Sequence, residues 1–169
     1  MNSLRRRANL SDGQYVEFRD ESGRDLSPEE LSTLILATWE GPVRFGMTGP
    51  ERSMLYRLAS DLRLTVEELR RLTPAAFRFG GTTTVRVAVG DGGGRHPRRL
   101  TLRSETARDL GSFLVVPEPD QPIFRIPDEL PEMLRADVQA ACENMPSKKH
   151  TLDADVGRAS TKQPKDRQG

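Results

Sequence analysis

Apolar side chains are spread unevenly along the chain: residues 1–25 and 143–169 hold few of them, while residues 26–142 carry the regular hydrophobic spacing of folded sequence. The pattern predicts a polar N-terminal segment over 1–25, a folded unit over 26–142 and a disordered tail over 143–169. Inside the folded unit, three helix starts share one signal. Ser27–Pro28–Glu29–Glu30, Thr48–Gly49–Pro50–Glu51 and Thr65–Val66–Glu67–Glu68 each set a hydroxyl three residues before a glutamate, the spacing of a reciprocal capping box. Behind the first, Leu31, Leu34, Ile35 and Trp39 recur at helical intervals and predict one apolar face, which Gly41–Pro42 ends. Behind the second, Met54, Leu55, Leu58, Ala59 and Leu62 form a buried stripe. The third heads a short helix through Leu69 and Leu72, and Thr73–Pro74 stops it or begins another turn.

The period then changes. Thr82 to Val89 is β-branched and alternating, Gly90–Asp91–Gly92–Gly93–Gly94 is a turn, and Arg98 to Arg103 returns with Leu100 and Leu102 on one face. Together they predict an antiparallel hairpin. Tyr15–Val16–Glu17–Phe18 predicts a further short strand. Ser104–Glu105 opens a helix through Ala107, Leu110 and Leu114; a proline-rich connector from Pro117 to Pro122 leads to a last helix carrying Leu130, Met133, Leu134, Val138 and Ala141. The expected fold class is α+β, mainly helical, with one antiparallel β-hairpin.

Charge and candidate chemistry narrow the function classes. The 26 basic and 25 acidic residues leave a net charge of +1, well short of the basic excess usual for a free-standing nucleic-acid binder. Cations still cluster locally, at Arg5–Arg6–Arg7 and at Arg95, Arg98 and Arg99. A single cysteine, Cys142, excludes an internal disulfide and fits a reducing compartment. No apolar run approaches the roughly 20 residues of a membrane helix, so a soluble, cytoplasmic protein with no membrane partner is expected. His96, His150 and Cys142 lack metal-ligand spacing, and no metal, cofactor or small-molecule ligand is expected. Gly92–Gly94 precedes a strand and lacks the Gly-Lys-Ser/Thr end of a phosphate-binding P-loop. The acidic pairs Glu29–Glu30 and Glu67–Glu68 lie in helix first turns, where they complement the helix dipole.

Residues 46–73, from Gly46–Met47–Thr48–Gly49–Pro50–Glu51–Arg52–Ser53–Met54–Leu55–Tyr56–Arg57–Leu58–Ala59 to Glu68–Leu69–Arg70–Arg71–Leu72–Thr73, resemble the tyrosine recombinase (phage integrase) family without a gap. The resemblance continues through Phe77, the hairpin and Ala107–Arg108–Asp109–Leu110. Pro122–Ile123–Phe124–Arg125–Ile126–Pro127 with Glu132 to Asp137 looks like an insert that some integrases carry, so about residues 26–142 are covered. The implied fold is the N-terminal half of a recombinase catalytic domain. In that family a tyrosine attacks a DNA phosphodiester, two arginines and a histidine hold its oxygens, and a hairpin lysine protonates the leaving oxygen.

This sequence departs from the pattern at each role. Thr65 stands at the family's first arginine, with Leu64, Glu68, Leu69 and Leu72 fixing the register, and Arg63 two residues away. A threonine lacks the charged, bidentate fork that holds a phosphate. The lysine position falls at about Gly93, with Arg95 the nearest cation. The later His-x-x-Arg motif and nucleophile have no counterpart; Lys149–His150–Thr151 is only a faint echo, and Tyr15 and Tyr56 precede the hairpin. The resemblance therefore implies a truncated, catalytically disarmed domain with no catalytic residues. Arg95, Arg98 and Arg99 are the residues it would set against DNA phosphate. Three readings stand in order: a decaying remnant, a weak non-specific binder of the duplex DNA backbone, and an interaction protein that binds or interferes with a full-length recombinase.

Overall fold

In the computed structural model, residues 14–87, 97–114 and 118–144 are described. The expectations for Arg5–Arg7, for the turn with Gly93, Arg95 and His96, and for the tail with Lys149–His150–Thr151 lie outside the described residues.

All three capping boxes form. Helix α1 (Pro28–Trp39) starts with Ser27 accepting from the Glu30 amide while Glu30 accepts from the Ser27 amide. Helix α2 (Gly49–Leu62) and helix α3 (Val66–Arg70) repeat this with Thr48 and Glu51, and with Thr65 and Glu68. Each box satisfies two amides that a helix start leaves without intrahelical partners, worth about 1 kcal/mol per cap. After α3 comes a single 3-10 turn, Pro74–Ala76, so Pro74 begins a turn rather than only ending a helix. Helix α4 (Ser104–Phe113) and helix α5 (Leu130–Asn144) follow among the described residues.

The sheet has one strand more than the expected hairpin. Strand β1 (Phe77–Arg78) pairs antiparallel with β2 (Thr84–Val87), which pairs antiparallel with β3 (Arg98–Thr101). Two residues give too short an alternation to be read as a strand; β1 exists because β2 offers it a free edge. Conversely, Tyr15–Phe18 does not form a strand. Tyr15 meets Thr65 in an isolated bridge, the Phe18 carbonyl accepts from the Leu26 amide at 2.9 Å, and the next residue, Arg19, bridges Asp25, so the segment is held at points rather than along a ladder.

Helix α2 is the centre of the core. Met54, Leu55, Leu58, Ala59 and Leu62 are buried as the stripe predicts, together with Arg52, Ser53 and Tyr56. Helix α1 packs on α2 and on α5. Val85 and Val87 of β2, Leu110 of α4, Phe124 and Met133, Val138 and Ala141 of α5 join the same cluster. Each fully buried Leu, Val or Phe contributes roughly 1.5–3 kcal/mol of transfer free energy. Trp39 departs from expectation: it is 47% exposed although it continues the Leu31–Leu34–Ile35 stripe. Its neighbour Thr38 is buried instead, so the last turn of α1 turns Thr38 inward and Trp39 to the half-exposed side.

Candidate nucleic-acid interface

Strand alternation sorts the basic residues of the sheet. In β2, Val85 and Val87 point into the core, so Thr84 and Arg86 point outward. In β3, Val87 stands opposite Arg98 and Val85 opposite Leu100, which puts Arg98 and Leu100 on the core side. Arg99 and Thr101 are therefore on the open face, with Arg99 directly opposite Arg86 and Thr101 opposite Thr84. Arg78 of β1 stands opposite Thr84 on that same face, since its neighbour Phe77 is buried.

The two described arginines expected at the interface thus part company. Arg98 turns to the core side and its Nη2 donates to both carboxylate oxygens of Glu68 at 2.8 Å, so its charge is already offset. Its Nε is buried without a hydrogen-bond partner. Arg99 is exposed, and no ion pair of the described residues involves it. Sequence reasoning missed Arg78 and Arg86, although the parity of Leu100 and Leu102 already separated Arg98 from Arg99. Like charges directly opposite on one face destabilise a strand pair, and Arg86 with Arg99 is such a pair.

The Thr65 position is structural. Its Oγ accepts from the Glu68 amide at 3.2 Å, and its own amide donates to Glu68 Oε2 at 2.8 Å. The carboxylate that receives Arg98 is therefore the one that caps α3. Backbone contacts hold the N-terminal segment against this cap: Tyr15 bridges Thr65, and the Val66 amide donates to the Gln14 carbonyl at 2.9 Å. Arg63, the nearest arginine in sequence, caps the end of α2 in the left-handed region at φ 47° and is exposed.

Neither described tyrosine is set up as a nucleophile. Tyr56 is fully buried and its hydroxyl donates to Asp137 Oδ2 at 2.8 Å. Burial first, and then the adjacent Asp137 carboxylate, push its phenol far above the ordinary tyrosine range. Tyr15 is 54% exposed. Among the described residues no base contacts its hydroxyl.

The most elaborate polar cluster lies elsewhere, beneath α5. Arg52 Nε and Nη2 hold the two Asp137 oxygens at 2.7 and 3.2 Å, while Nη1 donates to the Pro42 and Met47 carbonyls at 2.8 Å. Arg44 Nε stands 3.1 Å from Asp137 Oδ1, an ion pair whose N–H is not aligned for a hydrogen bond. With every oxygen engaged from inside the fold, this cluster is an anchor for α5 and for the 42–47 turn. A groove of about 520 Å³ runs between residues 16–23 and α5, lined by Val16, Leu130, Leu134 and Val138 with Arg19 and Arg135. Among the described residues no group of three His, Cys, Asp or Glu side chains could hold a metal ion, and no helix is long and apolar enough to cross a membrane.

What fold and site define, among the described residues, is a mixture of five α-helices and a three-stranded antiparallel sheet, with arginines outside any ion pair on the sheet's open face. Comparison with known protein families, with curated proteins and with solved structures finds no match.

Proposed function

We propose that this chain is a non-cleaving relative of the tyrosine recombinases that associates with the phosphate backbone of duplex DNA. The observation that carries the reading is the engagement of Thr65. Under the resemblance of residues 46–73, Thr65 occupies the position of an arginine that grips the scissile phosphate. Here its hydroxyl and amide are both engaged with Glu68. A carboxylate beside that position opposes the negative charge that builds on a phosphate in the transition state. The buried Tyr56 phenol, held protonated by burial and by Asp137, supplies no nucleophile. Affinity comes from outward arginines such as Arg99, which give salt-sensitive attachment without choice of sequence. The test is retardation of a random-sequence duplex at about 50 and about 200 mM salt. A shift that fades with salt supports the reading; the absence of a shift at the lower salt removes it.

A second reading, binding to a complete recombinase, is favoured by the exposed Leu36, Trp39, Val43 and Phe45 of α1 and the turn that follows it. Exposed apolar side chains gathered in one region mark contact surfaces. Co-purification from cells holding such an enzyme tests it, and repeated recovery of the chain alone counts against it.

A further inference from the structure

Ten of the sixteen described arginines are ion-paired with carboxylates. The six that are not are Arg63, Arg78, Arg86, Arg99, Arg125 and Arg135. Three of these six share the open face of the sheet. Their concentration there goes against local stability. Arg86 faces Arg99 across the ladder, and no Asp or Glu occurs anywhere in the three strands to soften the repulsion. Threonine at either position would suit a solvated strand face better. Among the described residues the other three unpaired arginines, Arg63, Arg125 and Arg135, lie outside the sheet, whereas every outward arginine of this face lacks an ion pair.

We infer that the outer face of the sheet, formed by Arg78, Arg86 and Arg99 with the hydroxyls of Thr84 and Thr101, is the surface that seats the sugar–phosphate backbone of duplex DNA. The inference rests on the proposed DNA association and assigns it a surface distinct from the Arg98 side of the hairpin. Three features select this occupant. First, strand geometry sets the arginine Cα atoms about 5 Å apart across β2 and β3, and about 8 Å apart from Arg86 to Arg78. That span covers two to three base-pair steps at about 3.4 Å each, which suits a polyanion rather than a single phosphate. Second, the outward positions carry no aromatic ring on which unpaired bases would stack, which disfavours a single strand. Third, they carry no large apolar side chain to insert among lipid tails, which disfavours a membrane surface. Guanidinium forks and threonine hydroxyls are the donors that phosphate oxygens accept.

The experiment uses the full chain and a fluorescently labelled random-sequence duplex, followed by anisotropy across a salt series. The triple variant Arg78→Gln/Arg86→Gln/Arg99→Gln is compared with Arg63→Gln/Arg125→Gln/Arg135→Gln, which removes the same charge elsewhere. The face variant is expected to lose tenfold or more in affinity at about 50 mM salt and to flatten the log–log salt slope by about 2 to 3. The control variant is expected to stay within about twofold of the parent. Thr101→Glu, a single surface change that sets a carboxylate beside the arginines, gives the same direction of loss and serves if the triple variant does not fold. Equal losses in both triple variants would mean bulk charge alone and overturn the assignment. An unchanged face variant overturns it while leaving DNA association standing. Failure of the parent chain to bind at all removes the underlying reading instead. Tighter binding to a single strand or to anionic vesicles of equal phosphate content also overturns the assignment.

Discussion

Arg52 and Asp137, 85 residues apart in sequence, meet in the core with Nε 2.7 Å from Oδ2, both side chains almost wholly excluded from solvent. The contact ties α2 to α5, and through the Pro42 and Met47 carbonyls it also shapes the turn between α1 and α2. Burying two ions is costly, and the geometry repays it only while every oxygen and N–H finds a partner.

Asp137→Asn keeps the shape and removes the charge that two guanidinia share. A loss of about 3–5 kcal/mol of unfolding free energy is expected, since the buried Arg52 cation is then left uncompensated. Tyr56→Phe removes only one hydrogen bond to the same carboxylate and should cost less, about 1.5–3 kcal/mol. Urea unfolding of the two variants measures the order; equal stability of Asp137→Asn and the parent would mean that the cluster does not anchor α5.

Glycine matters unequally along the chain. A Cβ on Gly49 would lie 2.5, 2.6 and 2.7 Å from the carbonyl oxygens of Thr38, Trp39 and Gly41, because α2 starts directly against the end of α1. Gly49→Ala must therefore push the two helices apart and should cost about 1–3 kcal/mol. A Cβ on Gly81 meets nothing within 4 Å, so Gly81→Ala should be neutral or stabilising by up to about 1 kcal/mol. Thermal melts distinguish the two, and a Gly49→Ala melt matching the parent would contradict the close approach.

Acid should loosen the start of α1. The Arg24 guanidinium, and then the Ser27 amide, hold the Glu30 carboxyl down to about 2. Its unfolded value is about 4.3. A carboxyl depressed in the folded state stabilises fully above the unfolded value and loses that contribution as pH falls through the folded one. The denaturation midpoint should accordingly drop between about pH 4.5 and about pH 2, and Glu30→Gln should flatten that drop while leaving the pH 6–8 region level. An acid limb identical in the variant would exclude Glu30 as a contributor. Glu30 lies at the surface, so the effect is a change in slope rather than acid unfolding on its own.

The local parts of this fold were legible. The capping boxes at Ser27, Thr48 and Thr65 sit within four residues of sequence, and helix starts follow from them directly. What depended on pairing was not. Strand β1 is defined by its partner Val85 rather than by its own two residues, and Tyr15–Phe18 alternates like a strand but meets only single bridges. Arg98 and Arg99 look like one basic cluster until the sheet register sends them to opposite faces. Arg78 and Arg86 join Arg99 only through that register, and nothing local predicts that Asp137 will meet Arg52.

The most direct test is to mix the chain with an end-labelled duplex at low salt and run the products both in native form and after denaturation with detergent. A retarded native complex that vanishes completely on denaturation is the expected result. A labelled species that survives denaturation, and so marks a covalent protein–DNA bond, would contradict the account.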